Sequence, residues 1–291
     1  MFNRFIIATD LSPASFQVVN CISGLRALGA KQGLLLLCLG LQEVTSQALT
    51  YTTAFLEANL KEQKKLLEEQ GFVVQTRIVP GFPKQEINRI ALEENYSLIV
   101  VGSRGHSLVG EAILGGVAYA VIHSARKPVL VVPIKTKEIK GKKIEEFAQC
   151  DFTKHILFPT DFSENANQAF GYLEKLVASE AKQVTLVHIQ DKTRINPYLS
   201  YRLSEFNQID QARLENLKKA LQKKSKVKVN LEIGFGNPSV EIIKLIKKRG
   251  VQMVVMGSQG RGFVEELFLG SVSHNVVRSS IAPVLLIPAK R

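Results

Sequence analysis

The sequence predicts an α/β protein of two tandem domains, each a doubly wound sheet of five parallel strands with helices on both faces. Three observations carry this expectation. The chain repeats itself at about half its length, short apolar runs alternate with longer amphipathic segments inside each copy, and the fourth apolar run of each copy ends in a glycine-spaced loop that opens a helix.

The repeat is visible in four landmarks. Phe5-Ile-Ile-Ala-Thr-Asp10-Leu-Ser12 parallels Ile156-Leu-Phe-Pro-Thr-Asp161-Phe-Ser163, and Gly81-Phe-Pro83 parallels Gly236-Asn-Pro238. Leu98-Ile-Val-Val-Gly102-Ser-Arg-Gly105 parallels Met253-Val-Val-Met-Gly257-Ser-Gln-Gly260, and Lys127-Pro-Val-Leu-Val-Val-Pro133 parallels Ala282-Pro-Val-Leu-Leu-Ile-Pro288. The offset is 151 at Asp10 and Asp161 but 155 at Gly102 and Gly257, so the second copy carries four extra residues between these points. This places one domain at 1–134 and the other at 152–291, with 135–151, rich in Lys and Glu, as a linker.

In the second copy the apolar runs predict strands over 155–160, 183–190, 227–234, 251–257 and 283–288. Ala166 to Ser179, Leu199 to Lys224, Pro238 to Arg249 and Ser271 to Ser280 read as helices, with Ser239 and Glu241 near the start of the third and Gly250 just past its end as capping residues. Such sheets bind ligands beyond the carboxyl ends of their strands.

Composition narrows the function classes. With 45% hydrophobic and 22% charged residues the chain resembles an ordinary globular protein rather than a disordered one. The longest apolar run, about Gly33 to Leu41, falls short of the roughly 20 residues a membrane span needs, and the N-terminus shows no signal-peptide pattern, so a cytoplasmic protein is expected. Cys21, Cys38 and Cys150 are widely spaced without a C-x-x-C pair and read as buried thiols in a reducing compartment. The five histidines are scattered, so no structural zinc site is expected. The net charge of +12 comes mainly from the second copy, in Lys218-Lys219, Lys223, Lys224, Lys226, Lys228 and Lys247-Lys248-Arg249, without the aromatic interleaving of a nucleic-acid surface. A solvated helix face is the expectation there.

The chemistry gathers at the glycine loop. Met256-Gly257-Ser258-Gln259-Gly260 is followed after nine residues by Gly270-Ser271, a G-x-x-G-x9-G-[S/T] spacing. Glycines let main-chain N–H groups approach an anion, and a helix opening at Gly270-Ser271-Val272 offers unpaired N–H groups and a favourable dipole to a phosphate. The Ser271 hydroxyl is either an N-cap or a further phosphate contact.

At these residues the chain resembles the universal stress protein family over both halves, in its ATP-binding branch. The resemblance implies Rossmann-like domains of the adenine nucleotide alpha hydrolase type and an ATP or AMP ligand with Mg or Mn at the phosphates. It also implies an intramolecular pseudo-dimer through the final strands, a homodimer, and an unidentified protein partner. It places Asp161, with Pro159 and Thr160, on the ribose and adenine side, and the main chain at His188-Ile189 on the adenine edge. Gly257, Gly260, Gly270 and Ser271 would hold phosphates, helped by Ser258, Arg261 and Ser273. Asp10 and Asp161 are also candidate caps of the helices that follow, as are Ser12 and Ser163.

The first copy keeps Asp10, Gly102, Gly105 and Gly115 but has Gly116 where Ser271 stands, and Leu39 falls at the adenine-contacting position. Loss of one hydroxyl contact to a charged group costs about 1.5–3 kcal/mol, so weaker binding is expected there. There is no G-x-x-x-x-G-K-[ST] and no convincing catalytic set, so the sequence reads as a nucleotide-responsive regulatory protein of stress adaptation, at most a slow hydrolase. A nucleotide-dependent enzyme of related fold, a nucleic-acid-associated protein and an empty scaffold remain alternatives.

Overall fold

The structure, a computed structural model, describes residues 1–40, 49–104, 114–134, 136–139, 142–145, 151–196, 198–261 and 269–290. The chain divides into two compact units, Met1–Asp151 and Phe152–Arg291.

In the first unit β1 (Arg4–Thr9), α1 (Pro13–Cys21), β2 (Gln32–Leu39), α2 (Leu49–Glu69), β3 (Val73–Pro80), α3 (Pro83–Glu93), β4 (Leu98–Gly102), α4 (Gly116–Ser124) and β5 (Val129–Val132) follow in turn. The strands pair in parallel in the order β5-β4-β1-β2-β3. Phe5, Ile6, Ile7, Leu98, Ile99 and Val100 are each 0% exposed, as central strands covered on both faces require. The expected linker holds an antiparallel hairpin, β6 (Thr136–Ile139) and β7 (Lys142–Glu145).

The second unit repeats the plan with β8 (Ile156–Pro159), α5 (Glu164–Ser179), β9 (Gln183–Asp191), α6 (Lys192–Ile195), α7 (Leu203–Lys224), β10 (Lys228–Gly236), α8 (Pro238–Arg249), β11 (Met253–Gly257), α9 (Ser271–Ser279) and β12 (Val284–Ile287). Its parallel order is β12-β11-β8-β9-β10, which makes the gap between β8 and β11 the point where the winding reverses. Strand register also locates the four extra residues. Gln32 pairs with Val73, 41 residues on, whereas Gln183 pairs with Lys228, 45 residues on, so the insertion lies between the second and third strands, where α6 and the 3-10 turn Ser200–Arg202 stand.

The basic groups sit away from the carboxyl ends of the strands. Lys223 and Lys224 close α7, Lys228 opens β10, and Lys247, Lys248 and Arg249 close α8, where cations complement the helix dipole. Among the described residues no helix is long and apolar enough to cross a membrane. The reading of all three cysteines as thiols is corrected at Cys21, which is disulfide-bonded; pairings of this kind cannot be read from spacing. Cys38 is free and partly buried, and Cys150 lies outside the described residues.

Helix caps are sharper than the sequence indicated. The N-cap of α8 is Asn237, whose side chain accepts from the Val240 N–H; Ser239 instead donates its hydroxyl to Asn237 Oδ1 at 2.9 Å, and Glu241 lies in the first turn. Gly250 takes the left-handed conformation, φ 58°, as a C-cap. The equivalent residue of α3, Phe82, makes no capping bond and is 58% exposed. Phe82→Asn is therefore expected to stabilise the first unit, and Asn237→Ala to destabilise the second, each by about 1 kcal/mol in urea denaturation. Unchanged stability in both variants would contradict the capping assignment.

His155 ties β8 into the second unit. Its Nδ1 lies 3.2 Å from the Arg249 carbonyl, which can only accept, so Nδ1–H donates there and Nε2 of the neutral ring accepts from the Thr185 hydroxyl at 2.9 Å. Burial holds its pKa below the ordinary histidine value. The unfolded chain binds the proton more readily, so the stability this site supplies is present above pH about 6.5 and lost as pH falls towards the lower folded pKa. His155→Gln is expected to flatten that part of the pH dependence of the unfolding midpoint; an unchanged slope would reject the role.

Candidate functional site

The carboxyl ends of β8, β9 and β11 open into a cavity of about 670 Å³, within the usual range of roughly 300–1,000 Å³ for small-molecule sites. Its position is the winding reversal between β8 and β11, extended towards α7. Pro159, Thr160, Asp161, Ile189, Met256, Gly257, Gly260, Arg261, Gly270, Ser271, Val272 and Ser273 all line it. Apolar lining dominates on one side, where Val187, Ile195, Leu199, Phe206, Ile209 and Ile242 join Ile189. Ile189 itself packs across to β10, where a Cβ on Gly234 would stand 2.6 Å from its Cδ1.

The opposite side is built from main-chain donors. Gly270, not Ser271, is the N-cap of α9, and its N–H donates to the Ser258 carbonyl at 2.8 Å. Ser271 is thus the first helical residue, with its hydroxyl exposed, and the N–H groups of Ser271, Val272 and Ser273 have no acceptor among the described residues. The dipole of this nine-residue helix directs partial positive charge to the same place. The Ser273 hydroxyl is already used: it donates to the Gly257 carbonyl at 2.9 Å and locks α9 onto the end of β11.

The glycines serve packing more than the sequence suggested. A Cβ on Gly257 would stand 2.6 Å from Asn165 Oδ1, and one on Gly260 would stand 2.6 Å from Asp161 Oδ2. Asn165 in turn accepts the Gln259 N–H at 2.9 Å and donates to the Ile287 carbonyl at 3.2 Å. The Ser258 N–H is taken by Ile287, and the Arg261 N–H by Asp161. Ser258 does not line the cavity and is buried, so its expected helper role is corrected to a structural one. Of the loop N–H groups from 258 to 261, that of Gly260 alone has no acceptor among the described residues.

Asp161 sits in a turn repeated in both units. Its Oδ1 accepts the N–H of Ser163, which is the N-cap of α5, and its Oδ2 accepts the Arg261 N–H at 2.8 Å; Arg261 Nε also donates to the Asp161 carbonyl. Phe162 between them has φ 59°, a costly conformation for a bulky residue, and its N–H is held by Thr160 Oγ1 at 3.0 Å. Leu11 in the first unit repeats this with φ 58° and Thr9 Oγ1 at 3.1 Å, and Ser12 caps α1. The serines are therefore the caps, and the aspartates hold them.

Sequence reasoning missed the wall supplied by α7. Asp210, 7% exposed, accepts from Gln190 Nε2 at 2.9 Å, and Arg213 covers the Phe162 ring at 5.2 Å. His188 donates from Nδ1 to the Thr160 carbonyl at 2.7 Å and packs on Phe162 with ring centroids 4.9 Å apart. The one available signal was the four-residue insertion just before this helix.

The first unit departs from this arrangement. Register pairs Ala8 with Leu36 and Pro159 with Val187, so Cys38 occupies the place of Ile189; Leu39, expected there, is one residue further and matches Gln190. A slip of one residue reverses the face, which corrects that assignment. Burial raises the Cys38 thiol pKa to about 11. Gln63, 0% exposed, bridges Thr9 and Ser15 with bonds of 2.9 Å each. Asp10 holds the Ser12 N–H, Gly102 would clash with Arg104 O at 3.0 Å if it bore a Cβ, and Gly115 caps α4. Gly116 opens that helix with nothing within 4 Å of a built Cβ, while Gly105 lies outside the described residues.

Fold and site together define a tandem α/β protein of two doubly wound parallel sheets, with the cavity at the winding reversal of the second. The chain belongs to the universal stress protein family, whose sequence profile matches residues 1–133 and 153–288. It is 33% identical over 156 residues to a universal stress protein of Methanocaldococcus jannaschii, covering 47% of this chain and 96% of that one. To a universal stress protein of Mycolicibacterium smegmatis it is 26% identical over 223 residues, covering 76% of this chain and 70% of that one. The crystal structure of a universal stress protein from Archaeoglobus fulgidus shares the fold at a TM-score of 0.72 and 23% identity, covering 98% of both chains.

The two kinds of glycine respond oppositely to a methyl group. Gly257→Ala is expected to lose about 1–3 kcal/mol by crowding Asn165, whereas Gly116→Ala is expected to be neutral or to gain a few tenths of a kcal/mol. Chemical denaturation of both variants checks this, and an equal loss in the two would contradict the packing role given to Gly257.

Proposed function

We propose that the second unit binds an adenine nucleotide, ATP or AMP, and that the protein is a nucleotide-responsive regulatory component of stress adaptation rather than an enzyme. The observation that carries this reading is the start of α9, where the N–H groups of three successive residues, unpaired among the described residues, border a cavity of about 670 Å³ that is apolar on its far side. Phosphate oxygens satisfy such donors, and the base fills the apolar side beside Ile189 and Ile242. The Ser271 hydroxyl adds a bond to the phosphates, and Asp161 offers its carboxylate to the sugar.

Among the described residues no three His, Cys, Asp or Glu side chains come together as a metal site. A Mg or Mn ion would be carried by the phosphates with its own water, as Mg usually is. The first unit binds more weakly, because Gly116 lacks the hydroxyl and Gln63 is locked between Thr9 and Ser15.

Titration calorimetry of the full chain with ATP and AMP tests this. Ser271→Gly is expected to weaken binding about tenfold to a hundredfold, and Gly116→Ser, for which there is open space, to strengthen the first site. A flat titration of the wild type at millimolar nucleotide would sink the reading.

A further inference from the structure

We propose that Asp210 selects the base of the ligand, accepting a hydrogen bond from an exocyclic amine so that the cavity prefers a 6-amino purine to its 6-oxo counterpart. The inference rests on the nucleotide reading above and deepens it.

Asp210 stands on the apolar side of the cavity, beside Phe206 and Ile209, and is 7% exposed. An ionised carboxylate has about four lone-pair positions and no donor of its own. Among the described residues it receives one hydrogen bond, from Gln190 Nε2 at 2.9 Å. The next nitrogens stop short of hydrogen-bond reach: Arg213 Nη1, ion-paired with the carboxylate, is 3.6 Å from Oδ1, and His188 Nε2 is 3.6 Å from Oδ2.

His188 makes the shortage of donors worse. The Thr160 carbonyl, 2.7 Å from Nδ1, can only accept, so the imidazole proton is on Nδ1. In the neutral ring Nε2 then turns a lone pair, not a proton, towards Asp210. The Asp210 carboxylate thus keeps free acceptor positions between the apolar side chains of Phe206 and Ile209, with the Arg213 guanidinium beside it at ion-pair distance. A flat aromatic base carrying N–H groups on its edge complements it; one carrying a carbonyl at that edge sets oxygen against oxygen.

The test compares ATP with ITP, which differs by an oxygen in place of the amine, by calorimetry on the full chain. Wild type is expected to prefer ATP by about tenfold or more. In Asp210→Asn the amide oxygen can keep the Gln190 bond while its NH2 faces the base, so the preference should collapse or invert. Asp210→Ala should remove it without inversion, and serves if the Asn variant fails to fold. Equal wild-type affinities, or an ATP:ITP ratio unchanged in a folded Asp210 variant, would overturn the inference while leaving nucleotide binding intact. Failure of wild type to bind either nucleotide would instead overturn the reading on which it rests.

Discussion

The bond from the Gly270 N–H to the Ser258 carbonyl, 2.8 Å long, decides where α9 begins, and most of the site follows from that position. It spends the donor of the capping residue on the protein and leaves the next three for something else. The Ser273 hydroxyl, donating to Gly257, fixes the same helix to the end of β11 from its inner face. Two short bonds thus aim a helix N-terminus at the winding reversal of the sheet, where a phosphate gains both the donors and the dipole.

Around that axis the second unit is assembled for rigidity. Asn165 ties α5 to the glycine loop and to β12, and Asp161 ties the same loop to the end of β8. Glycines at 257 and 260 are needed because these side chains already occupy the space a Cβ would take. The loop is therefore shaped by its own neighbours before any ligand arrives, which lowers the ordering cost of binding. The first unit retains the turn at Asp10 and the helix start at Gly115, but Gln63 closes a polar bridge there and the hydroxyl is missing.

Much of this was legible in the residues. The strand limits follow apolar runs because central parallel strands are buried on both faces, and the glycine spacing marked the ends of β4 and β11 correctly. Less visible was anything set by packing between remote segments. Asp210 looks in the sequence like one more polar residue of a long amphipathic helix, and only its placement against Gln190 and His188 gives it a task. Leu39 was misplaced by one residue because a run of leucines carries no register mark, whereas hydrogen-bond pairing does. Cys21 shows the same limit, since cysteine spacing does not reveal that it is disulfide-bonded.

The central claim is that the free N–H groups at the start of α9 meet phosphate oxygens. Backbone amide NMR during titration with ATP addresses it most directly. The amide resonances of Gly260, Ser271, Val272 and Ser273 should shift together and saturate with one binding constant, while those of Ser258 and Gln259, already bonded within the protein, move less. Saturable binding that leaves the α9 amides in place would contradict the account.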